Sequence, residues 1–378
     1  MGAMDELITP TVVAQLRAAL IATGTSAGFP TLAAAETGVQ GARLRQRVDL
    51  VRDALLSDAP AGFSAAERLV VDVMDEPAFA GWMIWPVTEF VAFRALESGS
   101  AADFDDAMAL LARLTVELTG GFAIRDLLIA RPERALEIMG SWTGHENEHV
   151  RRLATEGSRA YLPWAKRVPW LLAHPQGTQR IVDATYRDPS EYVRRSTANH
   201  LNDLSRVDPE IVTEIAAGWA AAPDANTPWV LRHGLRTLIK QANPAALTLV
   251  GFTGTALRVT RPRIATTEVP WGGALTFDAV VINDAETDAT VAIDYTVGFQ
   301  RSNGSISEKT FKLGSRQIAA GDSAIVTKTH SFRLIATRTY YAGQHHITVQ
   351  ANGVLSPRTE FVLKHLDPAD PFDPRSRS

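Results

Sequence analysis

Two similar pentapeptides lie 43 residues apart in the middle of the chain, and they constrain its fold more than any other feature. They read EHVRR at residues 148–152 and EYVRR at residues 191–195, and a looser copy, WVLRH, follows at 229–233. A period near forty residues is typical of stacked helical pairs of the HEAT type. Equivalent helices of successive pairs line one face of a solenoid. The repeat therefore predicts an α-solenoid.

The first two thirds of the chain carry a helical pattern throughout. Apolar residues recur at spacings of three and four, as in Met108, Leu111 and Leu114. Proline and glycine fall at intervals that suit short turns between helices. We therefore expect residues 1–252 to form one helical domain.

The composition changes after residue 252. Asn-Gly pairs at 303–304 and 352–353 predict tight hairpin turns. Strand-like runs occupy 257–263, 274–282, 290–299, 308–318, 324–332, 345–350 and 359–363. About seven short strands in about a hundred residues indicate an immunoglobulin-like sandwich. The predicted fold class is mainly α with a β domain: a solenoid, a C-terminal sandwich at 257–365, and a disordered tail at 366–378.

The composition limits which cellular compartment and which kinds of metal or disulfide site are possible for this chain. The chain has 378 residues and no cysteine, which excludes disulfides and thiolate metal sites and fits a reducing cytosol. Its N-terminal segment does not resemble a signal peptide, and no apolar run is long enough to cross a bilayer. We expect a cytoplasmic protein without a membrane partner.

The net charge of −4 conceals a strong regional asymmetry. Residues 1–140 carry 11 cationic and 19 anionic side chains, whereas residues 141–206 carry 10 and 7. Local patches matter more to a polyanion than the total charge does. Arginine-rich helix starts, repeated along the solenoid, therefore favour a rod-shaped polyanion as the partner.

The most unusual segment follows the first pentapeptide. A helix is expected from Val150 to Gly157, and it would place Glu156 between Arg152 and Arg159. Pro163 ends the helical region and Trp164 follows it directly. Read alone, Glu156 fits a solvated acid in surface ion pairs, and the tryptophan fits a core residue.

A zinc-binding pattern overlaps this segment. HENEH at residues 145–149 fits H-E-x-x-H, which needs both histidines on one continuous helix. Here Gly140 and Gly144 come just before it, Asn147 and Glu148 are typical of a helix cap, and the corresponding repeat segment, DPSE, is a turn. We therefore predict a turn at this position and no metal site.

Together, the central segment, the repeat and the sandwich resemble the AlkC-type DNA alkylation-repair glycosylases, which belong to the HEAT-like-repeat glycosylases. The resemblance covers most of residues 80–360 and is most specific from Val150 to Trp164. The matching segments are GW at 81–82, FAIR at 122–125, HVRRLA at 149–154, EGSR at 156–159, LPWA at 162–165, ANHLNDL at 198–204, HGLRTL at 233–238 and NG at 352–353.

The resemblance implies a DNA glycosylase that excises small cationic bases, chiefly N3-methyladenine, by hydrolysing the N-glycosidic bond. It implies double-stranded DNA as the partner, gripped by solenoid and sandwich and sharply bent without base flipping. It also implies a monomer that works without a cofactor, in the bacterial cytosol at the nucleoid.

The resemblance assigns catalytic roles by position. Glu156 matches the catalytic carboxylate, and Trp164 would lie against the lesion, where a π face favours a cation by about 1 kcal/mol. Asp203 matches a second acid near the cleft, although an ordinary turn or cap acid fits equally well.

Five cationic or polar side chains are the candidate DNA contacts: Arg152, Arg159, Arg194, Arg195 and His149. The alternative for each arginine is a solvated helix face. If several bind phosphate, the affinity for DNA should fall steeply with salt.

One position departs from the family pattern. An acid that assists the main carboxylate usually precedes the FAIR segment, but this chain has Gly121, preceded by Gly120. Glu117 lies one helical turn earlier, although the two glycines should end that helix first. The departure keeps two alternatives open: a DNA-damage binder without catalysis, and a HEAT-repeat scaffold for protein partners.

Overall fold

The computed structural model describes residues 3–25, 27–253, 256–333 and 339–364. The chain divides into two compact units, Met1–Leu235 and Arg236–Ser378. The predicted tail at 366–378 lies outside the described residues. None of the helices in the described ranges is long and apolar enough to cross a membrane.

The first unit is helical, as the spacing of its apolar residues predicts. Short 3₁₀ turns at Ala3–Leu7, Gly81–Met83, Trp142–Gly144 and Pro175–Thr178 separate or extend its helices. Its α-helices among the described residues are α1 Pro10–Ala22, α2 Pro30–Gly38, α3 Leu44–Asp58, α4 Phe63–Met74, α5 Ile84–Ser98, α6 Ala101–Leu114, α7 Ile124–Ala130, α8 Pro132–Ser141, α9 Glu148–Gly157, α10 Pro169–Ala173, α11 Gln179–Thr185, α12 Glu191–Leu204, α13 Pro209–Ala221 and α14 Thr227–Gly234.

The predicted repeat is confirmed in atomic detail. The two EHVRR-type segments begin helices α9 and α12, which pack against each other, and α14 packs on α12. Arg151 Nη1 donates to the carbonyls six and five residues before it, at 2.9 and 2.8 Å. Arg194 Nη1 does the same, at 2.6 and 2.9 Å. Each repeat thus uses the same arginine to fix the turn before its helix.

A charge cluster around one buried carboxylate joins two of the N-terminal helices. Glu89 on α5 is 2% exposed and accepts hydrogen bonds from both terminal nitrogens of Arg45, at 2.6 and 2.5 Å. Arg52 Nη1 lies 3.4 Å from the same carboxylate, and Trp85 Nε1 donates to it at 2.8 Å. A buried carboxylate is stable only with such partners, so this cluster fixes α3 against α5.

The second unit begins with two short helices and continues as strands. Helices α15 and α16 lie within a segment that the sequence places in the helical domain. The elements are α15 Arg236–Lys240, α16 Pro244–Leu249, β1 Leu257–Val259, β2 Arg263–Ile264, β3 Glu268–Val269, β4 Ala274–Asn283, β5 Ala289–Gln300, β6 Ile306–Ile318, β7 Ser323–Ser331, β8 Gly343–Ala351, β9 Val354–Leu355 and β10 Thr359–Leu363.

These strands form two sheets with one apolar core between them. In one sheet β4 pairs with β1, β2 and β7; in the other the order is β3-β10-β8-β5-β6, with β9 beside β8. Alternate residues of β4 are buried, as a strand with one face on a core requires. The core includes Phe277, Val281, Ile293 and Val349. The sandwich is therefore the architecture that the sequence predicts.

The predicted strand at 257–263 differs most from the structure. It is divided into β1 and β2, with Pro262 between them. Proline lacks the N–H that a ladder position requires, so it interrupts the pairing with β4. The hairpin turn at 352–353 is present, with φ of 45° at Asn352 and 89° at Gly353.

Candidate active site

Helix α9 positions the predicted catalytic carboxylate. Its N-cap is Asn147, whose side chain accepts from the backbone N–H of His149 at 2.8 Å. Val150, Leu153 and Ala154 are buried in the helical core, which fixes the rotation of the helix. Glu156 therefore lies at the edge of the core rather than on the solvated face.

Glu156 is held on both of its oxygens. Its side chain is 12% exposed, and Oε1 lies 3.1 Å from Arg159 Nη1 and 3.3 Å from Arg152 Nη2. Oε2 accepts a hydrogen bond from Ser196 Oγ at 2.8 Å. The surface ion pair that the sequence alone allowed is thus a largely buried cluster.

Asp203 belongs to the same cluster. Its Oδ2 accepts from Arg159 Nε at 2.8 Å, and both side chains are less than 10% exposed. Burial raises the pKa of Asp203, and the neighbouring charge of Glu156 adds to this, although Arg159 opposes it. Burial alone would lower the pKa of Arg159, but its pairs with the two carboxylates keep that pKa above its ordinary value. Arg159 is therefore a permanent cation that joins the two acids.

A neutral histidine supports this cluster from the protein interior. His200 is fully buried; its Nδ1 lies 2.9 Å from the carbonyl oxygen of Thr155 and its Nε2 3.0 Å from Thr178 Oγ1. Because a carbonyl only accepts, Nδ1 carries the proton and Nε2 accepts from the hydroxyl. Burial lowers the pKa of His200 to about 3, so the ring is neutral at physiological pH.

Arg125 fixes the loop that follows α9. Its guanidinium is 0% exposed and donates to the carbonyls of Gly157, Arg159 and Lys166, at 2.8, 2.7 and 3.0 Å. Burial, together with the nearby charges of Arg167 and Arg159, lowers the pKa of Arg125 to about 10. These bonds restrain the segment that carries Trp164 at both ends.

Trp164 lines a cleft. Its φ is 63° and 75% of its surface is exposed. The cleft has a volume of about 490 Å³ and is lined by Met4, Arg43, Leu44, Arg45, Trp85 and Trp164. A positive φ is rare for a bulky residue, and such conformations cluster at binding sites. The tryptophan is thus a displayed ring, not the core residue that its chemistry alone suggests.

The candidate DNA contacts on α9 and α12 differ in what their guanidiniums touch: two lie over aromatic rings, and one is bound to backbone carbonyls. Arg152 lies over the Tyr192 ring, 4.6 Å from its centroid, and Arg195 lies over the Trp229 ring at 5.9 Å. Each of these arginines thus reaches the aromatic residue of the following repeat. Arg195 is 59% exposed, whereas Arg194 is bound to backbone carbonyls. These contacts favour a structural role for Arg194; DNA binding by all these side chains stays a prediction.

His149 and His145 do not share a helix. His145 follows the turn Trp142–Gly144, while His149 is the second residue of α9 and packs edge-on against the Tyr192 ring at 5.6 Å. The H-E-x-x-H geometry is therefore not formed. Within the described residues, no group of three His, Asp or Glu side chains could hold a metal ion.

Comparisons with known proteins match both halves of the chain. A family model described as "DNA alkylation repair enzyme" matches residues 115–238. One described as "Uncharacterised protein YhaZ, C-terminal Ig-like domain" matches residues 258–365. The Bacillus subtilis (strain 168) protein "Uncharacterized protein YhaZ" is 30% identical over 321 residues, which cover 85% of this chain and 87% of that protein.

A solved structure is similar over nearly the whole length. It is the Pseudomonas fluorescens alkylpurine DNA glycosylase AlkC bound to DNA containing an abasic site analogue. The identity is 29%, the TM-score is 0.82, and the match covers 96% of this chain and 100% of that one. The chain belongs to the AlkC-type DNA alkylation-repair family.

In this AlkC-type chain, position 121 is where the resemblance implies an acid and the sequence has glycine. Gly121 is buried in the turn between α6 and α7, and a β-carbon there would lie 3.2 Å from Thr119 Oγ1. Glu117 lies beyond the end of α6 at Leu114 and is exposed. Helix α6 thus ends before Glu117 rather than at the two glycines, so Glu117 lies outside the helix on which the sequence places it.

Three site residues escaped the sequence analysis. All three hold the segment from α9 to Trp164, and each pairs with an atom more than 30 residues away in the sequence: Ser196, His200 and Arg125. The ANHLNDL and FAIR segments contain His200 and Arg125, so the resemblance held a signal for these two. Ser196 lies in neither segment, and nothing in the sequence distinguishes it from other helical serines.

Proposed function

We propose that this AlkC-type protein is a DNA glycosylase that excises small cationic alkylated bases, chiefly N3-methyladenine. It would act on double-stranded DNA without flipping the base and leave an abasic site. The observation that carries the proposal is the buried cluster in which Arg159 joins Glu156 to Asp203. The likeness to AlkC bound to abasic-site DNA supports it.

The chemistry needs few groups. The bond from C1′ to the base nitrogen breaks, and its electron pair neutralises the positive charge of the alkylated base, so no general acid is required. The sugar becomes an oxocarbenium-like cation, and the oxygen of a water molecule bonds to C1′ while that water gives a proton to a carboxylate, which later returns it to solvent. The same carboxylate can stabilise the cation and orient the water. We assign this role to Glu156.

The charges of the cluster suit a cationic substrate once DNA is bound. In the free protein the guanidiniums of Arg152 and Arg159 balance the carboxylates of Glu156 and Asp203. Arg152 is the more exposed of the two arginines, at 19%. A phosphate that draws Arg152 towards DNA would leave Glu156 with more of its negative charge directed at the sugar. Substrate binding would thereby strengthen the field that stabilises the transition state.

Trp164 would present its indole face to the lesion. The ring is exposed and its loop is held by Arg125, so it needs no rearrangement to meet a duplex. A π face attracts a cation by about 1 kcal/mol or more. This term would favour an alkylated base over a neutral one.

The remaining features of the proposed function concern partners and products. Arg152 and Arg195 would bind phosphates, whereas Arg159 is held between Glu156 and Asp203; the sandwich would also contact the bent duplex. We propose a monomer without a cofactor that works at the nucleoid in the cytoplasm. Lys166, the lysine nearest to Glu156 in the sequence, pairs its Nζ with Asp126 Oδ1 at 2.7 Å. We propose hydrolysis without strand cleavage.

The test is release of free N3-methyladenine from methylated duplex DNA by the wild type, Glu156→Gln and Glu137→Gln. Glu137 serves as the control because it is a 69% exposed acid paired with a surface arginine. We expect release by the wild type and by Glu137→Gln, and at least a hundredfold loss in Glu156→Gln with DNA binding kept. Full activity of Glu156→Gln would refute the assignment.

A DNA-damage binder is the second candidate, and Gly121 is the observation that favours it. If neither the wild type nor the variants release base while all of them bind alkylated DNA in preference to undamaged DNA, the missing acid has removed the chemistry. The salt dependence of DNA binding distinguishes the glycosylase and the DNA-damage binder from a scaffold for protein partners. A scaffold makes no phosphate contacts, so it would show no such salt dependence.

A further inference from the structure

The two oxygens of Glu156 have different kinds of partner. Oε1 faces two charged guanidiniums, that of Arg152, which is 19% exposed, and that of the buried Arg159. Oε2 faces the hydroxyl of Ser196 at 2.8 Å, and Ser196 is 2% exposed. One oxygen is therefore open to exchange with a ligand, and the other is fixed by a buried neutral donor.

The direction of the hydrogen bonds around Ser196 follows from its partners. An ionised carboxylate only accepts, so the single hydroxyl proton of Ser196 points to Glu156. Thr155 Oγ1 lies 2.5 Å from Ser196 Oγ and 3.0 Å from the carbonyl oxygen of Arg152. Its single proton goes to Ser196, because that contact is the shorter one and Ser196 has no second proton to place between the two oxygens. The result is a polarised chain from Thr155 through Ser196 to the carboxylate, in which each bond strengthens the next.

This chain joins two successive repeats. Thr155 and Glu156 lie on α9, whereas Ser196 lies on α12. His200, one turn further along α12, binds the carbonyl oxygen of Thr155 at 2.9 Å. The position of Ser196 relative to α9 is therefore fixed by a second contact between the same two helices.

We propose that Ser196 is a positioning residue for Glu156. By holding Oε2, it fixes the plane of the carboxylate and leaves Oε1 as the oxygen that meets the sugar and the water when DNA phosphate competes for Arg152. The inference rests on the proposed glycosylase function and names a residue that acts through Glu156 rather than on the substrate.

A positioning role predicts a specific kinetic signature. Ser196 is buried behind the carboxylate, so its removal should leave the affinity for DNA unchanged. The carboxylate, however, would rotate away from its productive orientation, which lowers the rate of bond cleavage. The expected loss is about tenfold or more in kcat, the worth of a hydrogen bond to a charged group.

The experiment compares Ser196→Ala, Ser196→Cys and Thr197→Val with the wild type. Thr197 is the matched control because it is the next residue on α12, is fully buried, and donates its hydroxyl to Thr185 Oγ1 at 2.8 Å, away from Glu156. The rate constant of N3-methyladenine release is measured at saturating enzyme. Affinity is measured with duplex DNA that contains an abasic-site analogue.

We expect both Ser196 variants to release base at least tenfold more slowly with unchanged affinity, and Thr197→Val to keep the wild-type rate. The thiol of Ser196→Cys is a weak donor that fills the site, so it carries the test if Ser196→Ala does not fold. Wild-type rates in the Ser196 variants would overturn the positioning role alone. An equal loss in Thr197→Val would assign the effect to packing and overturn it too. A wild type that releases no base would overturn this role together with the proposed function.

Discussion

His200 makes the stability of the helical unit depend on pH in a way that can be calculated. In the unfolded chain its imidazole has an ordinary pKa of 6.5, whereas burial lowers the folded pKa to about 3. Between these values the unfolded state binds the proton and the folded state does not. Acidification from pH 6.5 towards 3 therefore favours unfolding, and this loss is absent above pH 6.5.

The size of the effect follows from the same two values. Each unit of difference between the two pKa values corresponds to about 1.4 kcal/mol. Because pH 5 lies about 1.5 units below the unfolded pKa, His200 alone should lower the free energy of unfolding by about 2 kcal/mol between pH 7.5 and pH 5. The full loss, near pH 3, would approach about 5 kcal/mol. Other groups also titrate in this range, so a matched variant is required.

The measurement is urea unfolding of the wild type and of His200→Asn at pH 7.5 and pH 5. The asparagine amide can replace Nδ1 as the donor to Thr155 but does not titrate. Trp271 alone among the eight tryptophans lies outside the helical unit, so tryptophan fluorescence reports that unit. We expect the wild type to lose about 2 kcal/mol more than the variant over this interval. An equal loss in both proteins would refute the assignment of a buried neutral imidazole.

Three further predictions test other parts of the chain. Arg194→Ala should lower the melting temperature, because Arg194 donates to two backbone carbonyls. Arg195→Ala should leave the melting temperature unchanged and reduce the salt slope of DNA binding by about one, because Arg195 is exposed. A salt slope equal to that of the wild type would contradict the role of Arg195. Glu89→Ala should cost about 1–3 kcal/mol in urea unfolding, since the buried Trp85 Nε1 loses its acceptor while both arginines keep Asp49; no measurable cost would contradict the role of Glu89 in joining α3 to α5. Gly177→Ala should cost about 1–3 kcal/mol, because the new methyl group would lie 2.5 Å from an indole ring. Gly218→Ala, in α13 with no atom within 4 Å, should stabilise by about 0.5–1 kcal/mol in the same assay, so equal effects would refute the crowding at Gly177.

Local patterns predicted the parts of the fold that are locally determined. The repeat placed the starts of α9 and α12, and the cap residues predicted the turn before α9, although that helix begins at Glu148, two residues before the predicted start at Val150. Alternation placed the long strands of the sandwich. It did not place β3 or β9, because a strand of two residues is too short to show an alternating pattern. The first strand was predicted as one run because the effect of Pro262 depends on its partner strand.

The site was predictable only in part, because its geometry joins distant segments. Spacing along one helix placed Glu156 between two arginines. The link from Arg159 to Asp203 spans 44 residues, and the contact between Ser196 and Glu156 spans 40. No local pattern encodes such pairs. Burial also changed the meaning of the ion pairs, since the sequence alone fits them to a solvated surface.

The contacts of Arg125 have a consequence for how the chain would meet a ligand. Its three carbonyl bonds lie on both sides of Trp164, so the loop loses its conformational freedom when the chain folds. Ordering a backbone costs about 1–2 kcal/mol per residue. Here that entropy is lost once, during folding, and association with a duplex does not incur it again. The rate of encounter is then set by diffusion and orientation rather than by closure of a loop.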